Sequence, residues 1–239
     1  MPNVPRVPPT LDVERHWLAA GKSPIAGVDE VGVGAIAGPL VAAAVALPLT
    51  GDLEALRTRL DEVRDSNHTR RYKHERLTNL INEIAGPNVV VGIVDVSEIV
   101  EIDDQNRAAE LARERAVAAL PAPPELVLLD GGVEVARGTF EVVQVPKVVG
   151  GTPSLTIAAA SIVAVHERRK IMRAYGEVYP GWGFERHSGY PSPQHLVALE
   201  ELAMTPIHHR NHRLVQAALS AASYSQPKPS PSRSRANSS

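Results

Sequence analysis

The chain of 239 residues contains no cysteine, so it has neither a disulfide framework nor thiol chemistry. Aromatic residues are scarce, and the longest apolar run, over 40–49, is too short to span a membrane. The proline-rich start lacks the apolar core of a signal peptide. These absences argue against a secreted disulfide-rich protein and against a membrane protein. We therefore expect a cytoplasmic location and no membrane partner.

Neither sign of charge dominates, because the formal net charge is only −2. The basic residues are instead grouped along the chain, as on polyanion-binding surfaces. Solvated helix faces give the same pattern, so the sequence alone leaves both interpretations open. The three groups are Arg70, Arg71, Lys73 and Arg76; Arg168, Arg169, Lys170 and Arg173; and Arg186, His187, His208, His209, Arg210, His212 and Arg213.

Hydrophobic spacing predicts an α/β protein with three layers, a mixed sheet and a C-terminal helical cap. The predicted strands cover 25–29, 40–47, 88–94, 126–129 and 139–145. The predicted helices cover 12–20, 53–63, 70–84, 105–120, 157–175, 193–203 and 208–222. We expect an N-terminal extension over 1–20, one domain over 21–222 and a disordered Ser/Pro/Arg tail over 223–239. Disorder is also expected for the proline-rich residues 1–10.

Two adjacent carboxylates, Asp29 and Glu30, end the first predicted strand and precede a glycine-rich turn. Buried carboxylates are costly, and two together repel unless a cation or a proton joins them. Asp130 ends another apolar strand, although it could instead cap a turn before Gly131. If the two strands are neighbours, these acids can share divalent cations, and hard oxygen ligands select Mg²⁺ or Mn²⁺. Such ions activate water and stabilise the leaving oxygen of a phosphodiester.

The segment over 27–45 resembles the opening motif of the type 2 ribonucleases H, the ribonuclease HII family. That motif reads Gly-x-Asp-Glu-x-Gly-Arg-Gly and continues with Gly-Pro and a strand of small residues. Further segments follow in the family's order, and the resemblance covers roughly 24–219. They are Asp65-Ser66, Glu101-Ile102-Asp103 with Asn106, Leu128-Leu129-Asp130-Gly131, the Ala-Ala-Ser helix over 157–164 and the late segment over 179–191.

The resemblance implies an RNase H-like fold and endonucleolytic cleavage of the RNA strand of RNA–DNA hybrids. It also implies incision at ribonucleotides embedded in DNA, in replication or repair. Asp29, Glu30 and Asp130 would be catalytic ligands of Mg²⁺ or Mn²⁺. The implied substrate-binding residues are Gly32, Val33, Gly34, Ser66, Tyr190 and Arg210. The backbone of the glycine-rich turn would contact the 2′-hydroxyl, which distinguishes RNA from DNA. Tyr190 would stack on the sugar at the RNA–DNA junction. We expect a monomer.

The chain departs from the family at several positions. The arginine of the glycine run and several lysines of the family pattern are absent. Their positions carry Val33, Asn67-His68, Val165 and Ser188. The family's fourth acid falls on Gly151, or on Thr152 with a one-residue gap, and no acid lies between Glu141 and Glu167. Losing one carboxylate should weaken a metal position and raise the barrier. Whether an acid restored at Gly151 or Thr152 creates or raises cleavage would distinguish an active nuclease from an impaired one.

Three functions therefore remain in competition. The first is the active nuclease, and the second is a catalytically impaired paralogue that binds RNA–DNA hybrids without efficient cleavage. A small-molecule metal hydrolase is disfavoured, since the sequence has no phosphate-cradling loop. The spacing of His208, His209 and His212 allows a transition-metal site, but we favour a basic, phosphate-facing surface at a helix start.

Overall fold

The computed structural model describes residues 8–130, 140–146, 151–202 and 204–224. The predicted turn after Asp130 and most of the predicted tail, over 225–239, lie outside these ranges. The strands are β1 (Ile25–Val31), β2 (Leu40–Val45), β3 (Val89–Val94), β4 (Leu126–Asp130) and β5 (Glu141–Val145). The helices are α1 (Asp12–Ala19), α2 (Leu53–Arg59), α3 (His74–Ala85), α4 (Val96–Ile102), α5 (Gln105–Ala118), α6 (Leu155–Val178), α7 (Phe184–His187), α8 (Pro193–Glu201) and α9 (Arg213–Tyr224).

The five strands form one mixed sheet in the order β3-β2-β1-β4-β5. Strand β2 is antiparallel to both β1 and β3, whereas β4 is parallel to β1 and to β5. Strands β1 and β4 are adjacent, and Val28 lies opposite Leu129. The next residues along the two strands are Asp29 and Asp130, so the sheet brings these two carboxylates to neighbouring positions.

Helices cover both faces of the sheet and complete the predicted three layers. Helix α5 packs on one face, and α6 with α3 packs on the other. The start of α6 approaches β1 very closely at Gly27, which has no side chain. A Cβ at Gly27 would overlap the backbone of Thr156, so only glycine fits there. This close contact sets the distance between β1 and the helix that carries Ser161.

The predicted C-terminal cap is present, with its own apolar core. The second half of α6 and helices α7, α8 and α9 surround a cluster that includes Trp182 and Phe184. The last helix begins at Arg213 rather than at residue 208, because His208 and His209 are buried in the preceding turn. Helix α4 was not predicted, although Asp95 and Glu98 form a capping box at its start.

Residues near the N-terminus pack against the start of α6. Thr10 pairs with Ser154, so the expected disorder does not extend to this residue. Leu11 is fully buried. The buried carboxylate of Glu14 accepts hydrogen bonds from the Ser154 hydroxyl at 2.6 Å and from the Thr156 backbone N–H at 2.9 Å. Within the described ranges no helix combines the length and apolarity needed to cross a membrane.

Candidate active site

Asp29 lies on the face of the sheet that packs against α6, where its strand neighbours Ile25 and Val31 join the core. The Ser161 hydroxyl hydrogen-bonds to its carboxylate. The pKa of Asp29 is raised to about 8, first by burial and next by the charge of Glu30, while the Ser161 bond opposes this rise. Metal-free protein therefore holds this carboxylate in a setting that disfavours its charge.

Two further carboxylates, Asp130 at the end of the neighbouring strand and Asp65 before the 3-10 turn, act electrostatically on Asp29. The charges of Asp130 and Asp65 both contribute to the raised pKa of Asp29. Neither Asp29 nor Asp65 forms an ion pair within the part of the chain described here. Hard carboxylate oxygens under mutual repulsion suit a divalent cation such as Mg²⁺ or Mn²⁺. In the same described part, no three acidic or histidine side chains are already arranged as a complete ligand set.

Glu30 points to the opposite face, toward α5. Its Oε2 lies 2.8 Å from Nη1 of Arg113, and the Arg113 side chain is only 2% exposed. The structure thus brings together Asp29 and Asp130 of the predicted ligands and engages Glu30 in a buried ion pair. Sequence reasoning missed Arg113. The signal was its place on the buried stripe of α5, between Ala109 and Ala116.

The glycine-rich turn is held from two sides. The backbone N–H of Gly32 donates to the Tyr190 hydroxyl at 3.2 Å. The N–H of Gly34 donates to Oε1 of Gln105 at 2.7 Å, and Gln105 also donates to the Ala35 carbonyl. Both glycines have positive φ, and the Val33 side chain between them is 40% exposed. Gln105, which the sequence did not single out, therefore positions the turn.

Ser66 begins a 3-10 turn (Ser66–His68) that contacts α6 beside Asp29. Its backbone N–H donates to the Ser161 hydroxyl oxygen at 3.2 Å, and the two hydroxyl oxygens are 2.8 Å apart. Ser161 thus links the predicted substrate residue Ser66 to the predicted ligand Asp29. Thr152, one position considered for a fourth acid, is buried and accepts a hydrogen bond from the Ser154 N–H.

A basic groove runs from Tyr190 along the exposed side of α6. Its first cavity, of about 250 Å³, has Ser66 and Tyr190 in its wall, and the second, of about 430 Å³, continues toward Arg173. Arg71 and Arg169 line both cavities. The basic groove is defined by Arg71, Arg169, Lys170, Arg173 and Arg186. Residues from all three basic groups of the sequence therefore meet on one surface, as a polyanion-binding face requires.

Three positions at which the chain lacks family lysines, Asn67, Val165 and Ser188, lie in the wall of this groove. Arginines line the same cavity. Arg71 also crosses the groove to donate to the backbone carbonyls of Glu185 and Arg186. The groove therefore retains several positive side chains although these lysines are absent.

Some basic residues serve the protein interior instead. Arg168 is buried and donates to the carbonyls of Pro39, Ala37 and Ser188, while its guanidinium lies 5.2 Å from the centre of the Tyr190 ring. Arg168 thus supports Tyr190 from the wall of the first cavity, with its side chain buried.

The prediction of a phosphate-facing surface is wrong for His208 and His209, which are both buried. His209 donates its backbone N–H to the Ile36 carbonyl. This bond anchors the chain just before Arg210, and the Arg210 side chain is exposed.

Comparison with known proteins identifies the family. The sequence model described as Ribonuclease HII matches residues 26–216. Ribonuclease HII of Ruegeria pomeroyi is 40% identical over 213 residues, which cover 88% of this chain and 85% of the relative. The crystal structure of ribonuclease H2 from Pyrococcus horikoshii OT3 superposes with a TM-score of 0.68 at 24% identity, covering 83% of this chain and 98% of that one.

A second solved structure shares the fold. Bst-RNase HIII in complex with Mn²⁺ gives a TM-score of 0.62 at 21% identity, covering 84% of this chain and 70% of that one. The mixed sheet, the layers and the cap agree with the fold that the sequence predicted. The chain belongs to the ribonuclease HII family, whose members are endoribonucleases of the hydrolase class.

Proposed function

We propose that this chain cleaves the RNA strand of RNA–DNA hybrids, and DNA at embedded single ribonucleotides, by divalent-metal-dependent hydrolysis. Family membership supports the reaction class. One observation carries the metal dependence: the paired strands β1 and β4 place Asp29 and Asp130 at neighbouring positions, and desolvation together with the charge of Glu30 and the nearby acids raises the pKa of Asp29 to about 8. A group of like charges held in this way is stabilised by a cation.

Asp29 and Asp130 are the residues that would hold Mg²⁺ or Mn²⁺, and a solved relative contains Mn²⁺. When bound, such an ion lowers the pKa of water and stabilises the leaving oxygen of the phosphodiester. The Ser161 hydroxyl fixes the Asp29 carboxylate, and Arg113 holds Glu30 through its buried ion pair. Both partners reduce the reorganisation that the acids would otherwise need during the reaction.

The basic groove would bind the phosphate backbone, because phosphate contacts supply most of the affinity and set the position of a nucleic acid. Tyr190 stands where the groove meets the glycine-rich turn, with its hydroxyl on Gly32 and its ring against Arg168. Its orientation is thus set before substrate arrives. The turn over 32–34 and Ser66 lie next to it, which suits recognition of a ribose 2′-hydroxyl at this point.

Three duplexes test the proposal: DNA with one ribonucleotide, an RNA–DNA hybrid and DNA alone. The purified full-length protein is incubated with each duplex in Mg²⁺, in Mn²⁺ and in a chelator. A family member with an intact set of active-site acids is assayed in parallel as the control. We expect incision of the ribonucleotide-containing DNA and of the hybrid when metal is present. We expect no incision of DNA alone, and none of any duplex in the chelator. If the relative cuts and this chain does not at any concentration, the proposal fails.

A second candidate, a binder of hybrids without efficient cleavage, is favoured by one observation. Gly151 stands at the position of the family's fourth acid, so the metal site lacks that ligand. Gel-shift titration with hybrid, duplex DNA and duplex RNA tests it. Equal affinity for all three, or no affinity, would exclude this candidate.

The basic groove leads to a prediction about salt dependence. Arg169→Ala is expected to weaken binding of a hybrid about threefold to tenfold at moderate salt. It should lower the slope of log affinity against log salt by about 0.9, because one phosphate contact releases its counterions. Fluorescence anisotropy at several salt concentrations measures both quantities. Arg57→Ala on α2, outside the groove, is the matched control, and an equal slope in the two variants would contradict the assignment.

A further inference from the structure

A buried histidine ring contacts Arg169, the arginine that lines both cavities of the basic groove. Nη1 of Arg169 lies 2.7 Å from Nδ1 of His74, and Nε2 of the same ring lies 3.2 Å from the carbonyl oxygen of Thr69. His74 is only 2% exposed, and Thr69 is the residue that ends the 3-10 turn of Ser66. The imidazole therefore connects a groove arginine to the loop that carries Ser66.

The two partners of His74 fix the state of its ring. A guanidinium can only donate a hydrogen bond, so Nδ1 accepts from Arg169. A carbonyl oxygen can only accept, so Nε2 carries the hydrogen and donates to Thr69. The ring is thus neutral in this arrangement. Burial, and next the charge of Arg169, lower the pKa of His74, which agrees with a neutral ring.

Arg169 needs this support because a second guanidinium, that of Arg71, lies beside it. Desolvation, and next the charge of Arg71, lower the pKa of Arg169. Within the described ranges neither arginine forms an ion pair with a carboxylate, and Arg71 donates instead to the carbonyls of Glu185 and Arg186. Neutral acceptors therefore hold two like charges side by side, and both charges stay available to a phosphate.

We propose that His74 is a positioning residue for hybrid binding, whose neutral imidazole accepts a hydrogen bond from Arg169 and directs that guanidinium into the basic groove. This inference rests on the proposed function, because the phosphate backbone of the hybrid is the ligand. The competing role is purely structural, in which His74 only fastens the loop through its hydrogen bond to Thr69.

Two amide substitutions separate these roles, because each reproduces one nitrogen of the ring. His74→Asn places its side-chain oxygen near the position of Nδ1, where it can accept from Arg169, and leaves Thr69 without its donor. His74→Gln reaches the position of Nε2, where its amide can donate to Thr69, and leaves Arg169 without its acceptor. The positioning role and the structural role therefore predict opposite orders of affinity for the two variants.

Fluorescence anisotropy of the full-length protein with an RNA–DNA hybrid, in a chelator, is the test. We expect His74→Gln to bind about threefold to fivefold more weakly than wild type, and His74→Asn to bind within about twofold of wild type. His74→Gln should also lower the dependence of affinity on salt, as Arg169→Ala does. His16→Gln, at an exposed position of α1, is the control and should bind like wild type.

A double-mutant cycle with Arg169→Ala shows whether His74 acts through Arg169. In that background His74→Gln should change the affinity by less than about 1.5-fold, because both substitutions remove the same phosphate contact. Thermal melting shows that each variant is folded. His74→Phe keeps the ring shape without either nitrogen, and it takes the place of His74→Gln in the cycle if the glutamine variant does not fold.

The outcomes distinguish this inference from the proposed function. If wild-type protein binds no hybrid, both fail. If wild type binds and His74→Gln binds equally well, or if His74→Asn is the weaker of the two variants, this inference alone is overturned. An effect of His74→Gln that is equally large with and without the Arg169 side chain would also overturn it, since His74 would then act on something other than Arg169.

Discussion

Asp29→Asn is expected to abolish incision, with a loss of at least about a thousandfold in single-turnover rate, while hybrid affinity changes by less than about threefold. The substitution keeps the size and the hydrogen bond to Ser161 but removes the buried charge that would hold the ion. Phosphate binding in the basic groove is untouched, so binding and cleavage should separate.

The same variant should be more stable than wild type in metal-free buffer. Burial and the neighbouring acids disfavour the charged form of Asp29, and asparagine carries no charge. We expect the free energy of unfolding to rise by about 1–2 kcal/mol near neutral pH, since each pKa unit corresponds to about 1.4 kcal/mol and partial exposure reduces the effect. Urea denaturation measures this quantity, with Asp61→Asn as the control.

Retained incision in Asp29→Asn would contradict the metal assignment. A lower free energy of unfolding for Asp29→Asn in metal-free buffer would contradict the conclusion that the charge of Asp29 destabilises the metal-free protein. Residues that serve packing lose stability when they are substituted, so a gain in stability together with a loss of cleavage is the signature of a ligand.

Acid should destabilise the protein through a histidine pair in the C-terminal cap. Nε2 of His195 lies 3.1 Å from Nε2 of His208, and both side chains are buried beside Trp182. Burial lowers the pKa of His195 to about 4 and that of His208 to about 3. Protonating either imidazole would place an uncompensated charge in this core.

The direction of the pH effect follows from these pKa values. Unfolded histidine titrates near about 6.5, so the unfolded state binds more protons below that pH. The contribution of the two neutral histidines to the free energy of unfolding is therefore fully present above about pH 6.5. It is lost as the pH drops toward their pKa values in the folded protein. Between pH 7 and pH 5 the free energy of unfolding should decrease by about 2–4 kcal/mol for the two groups together.

Urea titrations from pH 7.5 to pH 5 measure this decrease. His208→Asn should lower stability at pH 7, because its contacts with Thr205 and His195 are altered, and should reduce the pH dependence by about half. His16→Asn, at an exposed position of α1, should leave the pH dependence unchanged. Equal stability at pH 7 and pH 5 would show that the pair does not remain neutral in the folded state.

Most elements could be predicted because their signals are local. The apolar strands, the Ala-rich start of α6 and the proline that ends α5 act over a few neighbouring residues. Helix α4 was missed, although Asp95 and Glu98 were visible as a capping pair. The start of α9 was placed too early because the burial of His208 depends on Trp182 and His195, which are distant in sequence.

The candidate site was only partly predictable for the same reason. Asp29 and Asp130 could be paired only on the condition that their strands are neighbours, and that adjacency is decided by the sheet. The ion pair of Glu30 with Arg113 could not be predicted from the sequence. Strand alternation turns Glu30 toward α5, but only the packing of the helix shows that Arg113 is its partner. The sequence also could not show which basic residues face solvent, and Arg168 proved to be buried.

By itself the sequence determined the family, the layered α/β fold and the strand ends that carry the acids, because these follow from local periodicity and from motifs in order. The tertiary structure alone decided how the site is completed. It turned Glu30 to Arg113, joined three distant basic groups into one groove and set Arg169 against the ring of His74. These are contacts between residues far apart in the chain, and their partners are set by the packing of whole helices on the sheet.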